Sequence, residues 1–197
     1  MSITILEQLK KTIIFLGEVY EEDGGFRNHI PFATGFLIDI EEITHLVTAK
    51  HVVMNQSNNR INKNLQVYFN KKGGGAEFLP ISEIIRKFKV KWMFHKDENV
   101  DIAIIPFGSD PKTADILCIT KEYFAKKDEL NELSNVFYLS FQPGIPMLTK
   151  ILPFVRAGVI SLINPDDGII YIDGFAFPGN SGSPVFIKTL PFKLKGK

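Results

Sequence analysis

Phe177-Pro178-Gly179-Asn180-Ser181-Gly182-Ser183-Pro184-Val185-Phe186 is the stretch whose reading decides the fold. A serine stands between two glycines, and an apolar, strand-like run follows it. Glycines in such places let a turn adopt backbone angles that a side chain forbids, so that successive N–H groups converge on one small space. A serine hydroxyl held at that turn can attack a carbonyl while the N–H groups receive the developing oxyanion. An ordinary Gly/Ser/Pro loop between strands has the same composition, so the rest of the chain must decide between the two.

A serine needs a base, and the base works best when a carboxylate holds its other nitrogen. The chain has four histidines. His29 falls in a polar loop, His45 in a strand and His95 among charged residues. His51 follows Leu46-Val47-Thr48-Ala49-Lys50 and precedes Val52-Val53, which puts it at the end of an apolar strand. The carboxylate candidate is Asp101, at the head of Asp101-Ile102-Ala103-Ile104-Ile105. An ionised group opening so apolar a run is costly unless paired; backbone N–H groups or a histidine N–H would both serve.

Taken together, Thr48-Ala49-Lys50-His51-Val52-Val53, Asp101-Ile102-Ala103-Ile104 and Gly179-Asn180-Ser181-Gly182-Ser183-Pro184 resemble the three motifs of the chymotrypsin-like (trypsin-fold) serine peptidases, in that family's His, Asp, Ser order. Gly35-Phe36-Leu37-Ile38 ahead of the histidine, and Gly158-Val159-Ile160-Ser161, are similar to further segments of its HtrA-like and glutamyl endopeptidase-like bacterial branches. Fifty residues separate His51 from Asp101 and eighty separate Asp101 from Ser181. That leaves room for one barrel carrying the first two and a second carrying the serine.

The resemblance implies an all-β fold of two barrels, each of about six strands, and an endopeptidase working through an acyl-enzyme. It makes Ser181 the nucleophile, His51 the general base and then acid, and Asp101 the residue that fixes the His51 tautomer. The backbone N–H groups of Gly179 and Ser181 become the oxyanion hole, and Phe175 falls where the family has its pocket floor. A bulky uncharged residue there argues against Lys or Arg at the cleaved bond and favours a small or medium apolar one. Asn180 stands where the digestive enzymes have an aspartate, and no Ile-Val-Gly-Gly-like start is present, so activation by N-terminal processing is not expected. Only ten residues, Lys188 to Lys197, follow the last motif strand. The second barrel is therefore expected to be incomplete, with exposed apolar surface beside Ser181 and a further domain or partner chain finishing it.

The remaining chain reads as follows. Residues 1–11 hold a short helix over 4–11, and Thr12 to Tyr20 is a strand. Glu21 to Asn28 is a loop around Gly24-Gly25. Residues 33–40 and 44–49 form a hairpin, Leu65 to Phe69 is a strand, and Ile84 to Phe94 fits strand or helix equally. Asn99 to Phe107 is a buried strand. The first barrel spans 12–108, a polar linker 109–133, and the second barrel 134–197. Its strands are expected over 136–141, over 148–163 with a break at Gly158, and over 168–173, with Asn164-Pro165-Asp166-Asp167-Gly168 as a turn.

Composition closes off other classes. Forty-five per cent apolar residues supply a core, and a net charge of +1 gives no reason to expect nucleic acid or an anionic membrane as partner. Lys188, Lys193, Lys195 and Lys197 read as a solvated tail. Cys118 is the only cysteine, which suits a reducing compartment. With no secretory h-region and no membrane-length apolar run, a cytoplasmic protein is expected. The histidines lack H-E-x-x-H spacing and no phosphate-binding glycine pattern follows a strand, so neither metal nor cofactor is called for. The alternative to the peptidase is a silent domain of the same fold that binds peptides or proteins.

Overall fold

The computed structural model describes residues 4–21, 27–55, 60–145 and 150–188. A six-residue helix, α1 (Ile5–Lys10), opens it, with the Thr4 hydroxyl accepting the Glu7 N–H as N-cap. Strand β1 (Ile13–Glu21) follows and begins with four consecutive apolar residues. They alternate between the two faces of their sheet. Ile14 and Leu16 enter a cluster with Leu37, Leu46, Val67 and Ile105, whereas Ile13 and Phe15 join Tyr68, Leu139, Phe141 and Ile151. Burial on both faces explains why the run is continuously apolar.

Strand β2 (Arg27–Ile40) pairs antiparallel with β1 and turns through Glu41 and Glu42 into β3 (Ile43–Thr48). Both glutamates have positive φ, 52° and 65°, as a two-residue hairpin of right-handed twist demands. Helix α2 (Lys50–Val53) leads to the short pair β4 (Met54–Asn55) and β5 (Arg60–Ile61). Then come β6 (Gln66–Asn70), β7 (Ala76–Pro80), α3 (Ile81–Phe88), β8 (Met93–Phe94) and β9 (Ala103–Pro106). The first sheet has seven strands in the order β7-β6-β1-β2-β3-β9-β8. The second, of β10 (Asn135–Ser140), β11 (Phe154–Ile163), β12 (Ile170–Gly174) and β13 (Val185–Ile187), runs β12-β11-β10-β13. A seven-stranded sheet thus stands where a barrel of about six strands was expected. Four strands make up the second unit, which was expected to be an incomplete barrel, and β4 and β5 pair apart from both. β12 and β13 are the outer strands of the second sheet, and that sheet does not close on itself among the described residues.

The segment between the sheets is not a loose tether. Ile119 exchanges backbone bonds with the first sheet, accepting from Asp39 N–H and donating to Leu37 C=O, both at 2.9 Å. Two single 3-10 turns, Lys121–Tyr123 and Lys127–Glu129, follow.

Several sequence expectations are corrected. Ile84 to Phe94 resolves as helix then strand, because Ile81, Ile84, Ile85 and Phe88 share a helical stripe whose Ile81 and Ile84 are buried. His29 lies in β2, not in a loop, stacked on Phe78 with ring centroids 4.4 Å apart. The strand expected over 99–107 is confined to Ala103–Pro106. Gly158 is no break: it pairs with Val136 and Gly174 inside a continuous β11. A Cβ there would lie 2.7 Å from Ile172 Cγ2 and 2.9 Å from the Asp173 carbonyl oxygen, so close strand packing, not a turn, requires glycine. The Gly24-Gly25 loop, Leu148 and the basic tail beyond Lys188 lie outside the described residues.

No helix among the described residues is long and apolar enough to cross a membrane. Cys118 is half-buried, and burial pushes its thiol above the ordinary range; the Thr44 hydroxyl contact at 3.4 Å acts the other way, and the Asp39 charge adds to the rise. Native Cys118 is therefore expected to react severalfold more slowly with iodoacetamide at neutral pH than the same thiol in urea. Mass spectrometry of timed quenches measures this, and equal rates would contradict it.

Candidate active site

The site is assembled where β3 ends. Thr48 closes the strand, Ala49 is extended, and the chain winds into the single turn of α2, which no side chain of its own caps. Asp101 caps it from fifty residues away. Its backbone carbonyl accepts the Lys50 N–H at 3.3 Å and its Oδ1 accepts the His51 N–H at 2.9 Å, satisfying donors that a helix start leaves open.

The other carboxylate oxygen, Oδ2, lies 2.5 Å from His51 Nδ1, and His51 Nε2 lies 2.9 Å from Ser181 Oγ. An ionised carboxylate only accepts, so Nδ1 carries the ring proton and Nε2 keeps the lone pair that faces the serine O–H. The three side chains singled out from sequence therefore meet. Asp101 is not the buried group that its apolar neighbours implied. Its side chain is 51% exposed and that of His51 37%, because Asp101 precedes β9 instead of lying within it, so little desolvation has to be offset. The other histidines are occupied elsewhere: His45 Nδ1 lies 2.8 Å from Ile43 C=O, and His95 Nδ1 accepts the Asp97 N–H at 3.1 Å.

Ser181 rides on two consecutive tight turns. Asn180 N–H donates to Phe177 C=O at 3.1 Å and Ser183 N–H to Asn180 C=O at 3.0 Å. Gly179 and Gly182 occupy positive φ, 98° and 82°, where a side chain is strained. With Pro178 second and a positive-φ glycine third, residues 177–180 form a type II turn. Neither Gly179 N–H nor Ser181 N–H donates to any acceptor among the described residues, which leaves both available to a developing anion. Phe175 stands in the segment before this turn, 80% exposed, its carbonyl accepting the Tyr138 hydroxyl. Phe177 and Val185 are also exposed, at 44% and 49%. The Asn180 carboxamide and the Ser183 hydroxyl are buried with no hydrogen-bond partner among the described residues. Beside His51 opens a groove of about 380 Å³, walled by Phe32, Val52, Met54 and Ile61 with Glu18 and Lys63 at its polar side.

Sequence reasoning missed what holds the Ser181 turn. Thr34, wholly buried in β2, donates its hydroxyl to Gly179 C=O at 2.7 Å and its N–H to Ser181 C=O at 3.0 Å. The same hydroxyl accepts Phe141 N–H at 2.9 Å, and Thr48 donates to Thr34 C=O at 2.7 Å. The only sequence signal is a hydroxyl residue inside an apolar hairpin.

Gly182 fits against this network with no space to spare. A Cβ would sit 2.2 Å from the Thr34 carbonyl oxygen and 2.3 Å from Thr48 Oγ1. Gly182→Ala is expected to cost roughly 3 kcal/mol, from overpacking and positive-φ strain together. A chain of this size then melts roughly 6–12 °C lower. Thermal unfolding by circular dichroism measures the shift, and an unchanged Tm would show that the turn can move away from Thr34.

A family model described as trypsin-like peptidase domain matches residues 33–189, well over half of the chain. None of the curated proteins searched matches. Among solved structures the chain is similar to the MamO protease domain from Magnetospirillum magneticum in its apo form. The TM-score is 0.58 at 15% identity, over 93% of this chain and 82% of that one; at that identity the likeness bears on the fold alone.

Proposed function

Because the chain belongs to the trypsin-like peptidase domain family, we propose that it is a serine endopeptidase that cleaves polypeptides through an acyl-enzyme. The single observation that carries this reading is the unbroken line Asp101 Oδ2, His51 Nδ1, His51 Nε2, Ser181 Oγ, with gaps of 2.5 and 2.9 Å.

Ser181 Oγ attacks the carbonyl carbon while its proton passes to His51 Nε2. The carbonyl oxygen becomes an anion and takes the N–H groups of Gly179 and Ser181; one such donor typically contributes about 3–4 kcal/mol of barrier lowering. Asp101 holds the imidazole in place and stabilises the imidazolium. His51 then gives its proton to the departing amine, the C–N bond breaks, and an ester to Ser181 remains. Water, deprotonated by the same Nε2, attacks that ester and releases the acid. Nothing in these steps requires a metal or cofactor.

The exposed rings of Phe175 and Phe177, with Val185, support the accompanying expectation that further polypeptide packs on the second sheet. The testing experiment is reaction with a fluorophosphonate, in which Ser181 Oγ displaces fluoride from phosphorus. Stoichiometric labelling, mapped to Ser181 by peptide mass spectrometry, is the expected result. A folded full-length protein that never takes up the probe would replace the peptidase by the silent, peptide-binding domain.

A further inference from the structure

The Phe177–Asn180 turn has an alternative shape. Type I and type II turns with the same closing hydrogen bond differ by a flip of the central peptide, here Pro178–Gly179, and glycine in third position accepts either. In one form Gly179 offers its N–H to one side; in the other the Pro178 carbonyl faces that side. The first form stabilises an oxyanion and the second repels it. Thr34 fixes the downstream end of this turn through Gly179 C=O and Ser181 C=O. The upstream end begins at Phe177, a residue 44% exposed whose ring has one cationic neighbour among the described residues.

That neighbour is Arg156, on β11. Its guanidinium carbon lies 4.4 Å from the Phe177 ring centroid and 6.0 Å from that of Phe154. The guanidinium is itself held in plane: Nε donates to Ser140 Oγ at 3.1 Å and Nη2 donates to Gln142 Oε1. Ser140 is wholly buried at the end of β10, so the fork is anchored to the sheet and not to a mobile chain. No carboxylate pairs with Arg156 among the described residues. A guanidinium with no carboxylate partner among the described residues, which gives two of its five N–H groups to a hydroxyl and an amide and holds its central carbon over a phenyl ring, is arranged for a cation–π contact, not for an ion pair.

We propose, on the basis of the serine peptidase reading above, that Arg156 is a positioning residue for the oxyanion hole. By clamping the Phe177 ring it fixes the upstream end of the turn and holds the Pro178–Gly179 peptide in the type II form. It touches no reacting atom. Arginine suits the role because only its planar fork can bind Ser140 and Gln142 while presenting a face to the ring; lysine keeps the charge and loses the plane.

The test compares wild type, Arg156→Met, Arg156→Lys and Phe177→Leu by second-order rates of fluorophosphonate labelling. Arg156→Met is expected to slow labelling at least about tenfold, a fraction of what losing one oxyanion donor does. Arg156→Lys recovers only a small part. Phe177→Leu, which cuts the same clamp from an exposed ring, matches the Met variant, and the double variant is no slower than either single one. The phosphoryl oxygen of the adduct occupies the oxyanion position, so its ³¹P resonance reports directly on the N–H donors and is expected to move in the Met variant. Wild-type rates with an unmoved resonance would overturn the proposal. So would slower labelling with an unmoved resonance and a lowered Tm, which marks a merely structural arginine. Should the wild type itself take up no probe, the peptidase reading fails first and this inference falls with it.

Discussion

Ser181→Ala is expected to abolish fluorophosphonate labelling outright while the protein melts within about 4 °C of wild type. The two halves of that result have separate causes. Labelling needs a hydroxyl whose proton has somewhere to go, and Ser181 Oγ is the hydroxyl 2.9 Å from His51 Nε2. Stability is spared because that one bond, at a half-exposed side chain, is worth about 1 kcal/mol. The contact that fixes the turn, Thr34 N–H to Ser181 C=O, belongs to the backbone and survives the substitution. Ser183 is the natural control. It lies two residues on, but its hydroxyl is buried without a hydrogen-bond partner among the described residues, so none of them prepares it as a base would. Labelling that persists in Ser181→Ala, or that Ser183→Ala removes, would refute the assigned nucleophile.

Asp101→Asn is expected to slow acylation by about four orders of magnitude, the factor attached to this change in the trypsin triad that serves as template. An amide in place of the carboxylate can donate to Nδ1. The ring proton then moves to Nε2, and the nitrogen that must accept the serine proton is already occupied. Binding geometry is largely kept, since the amide oxygen still takes the His51 N–H where Oδ1 did at 2.9 Å. The side chain is 51% exposed, so the fold loses little. Labelling time courses at fixed probe concentration give the ratio. A rate within about threefold of wild type would leave Asp101 as a helix cap without a part in the chemistry.

The sequence made legible those features whose cause is local or whose motif is dense. The hairpin of β2 and β3 follows from two β-branched runs around Glu41-Glu42, and the continuous Ile13–Leu16 run signals a strand buried on both sides. The meeting of His51, Asp101 and Ser181 was readable because three motifs in order constrain one another far more than any one does alone. What escaped has long-range causes. Whether Ile81 to Phe88 winds into a helix is settled by which side of it meets the core. Gly158 looks like a break in one dimension and proves to be a contact between neighbouring strands in three. Asp101 was placed inside a buried strand because its apolar followers were counted and the early end of pairing could not be. Thr34 and Arg156 carry no motif at all; their importance lies in what the fold brings to them.

Thr34 has a further consequence, for the order in which this molecule comes alive after unfolding. It and Ser181 are 147 residues apart, yet each shapes the other's surroundings, so the Ser181 turn cannot reach its native form until β2 is in place and the serine-bearing segment has docked on it. Closure of so long a loop is entropically late. Refolding followed by backbone signals should run ahead of refolding followed by reactivity. A partially assembled chain, however rich in strands, would hold Ser181 away from its Thr34 contacts, so uptake of the probe is expected only once both sheets are joined.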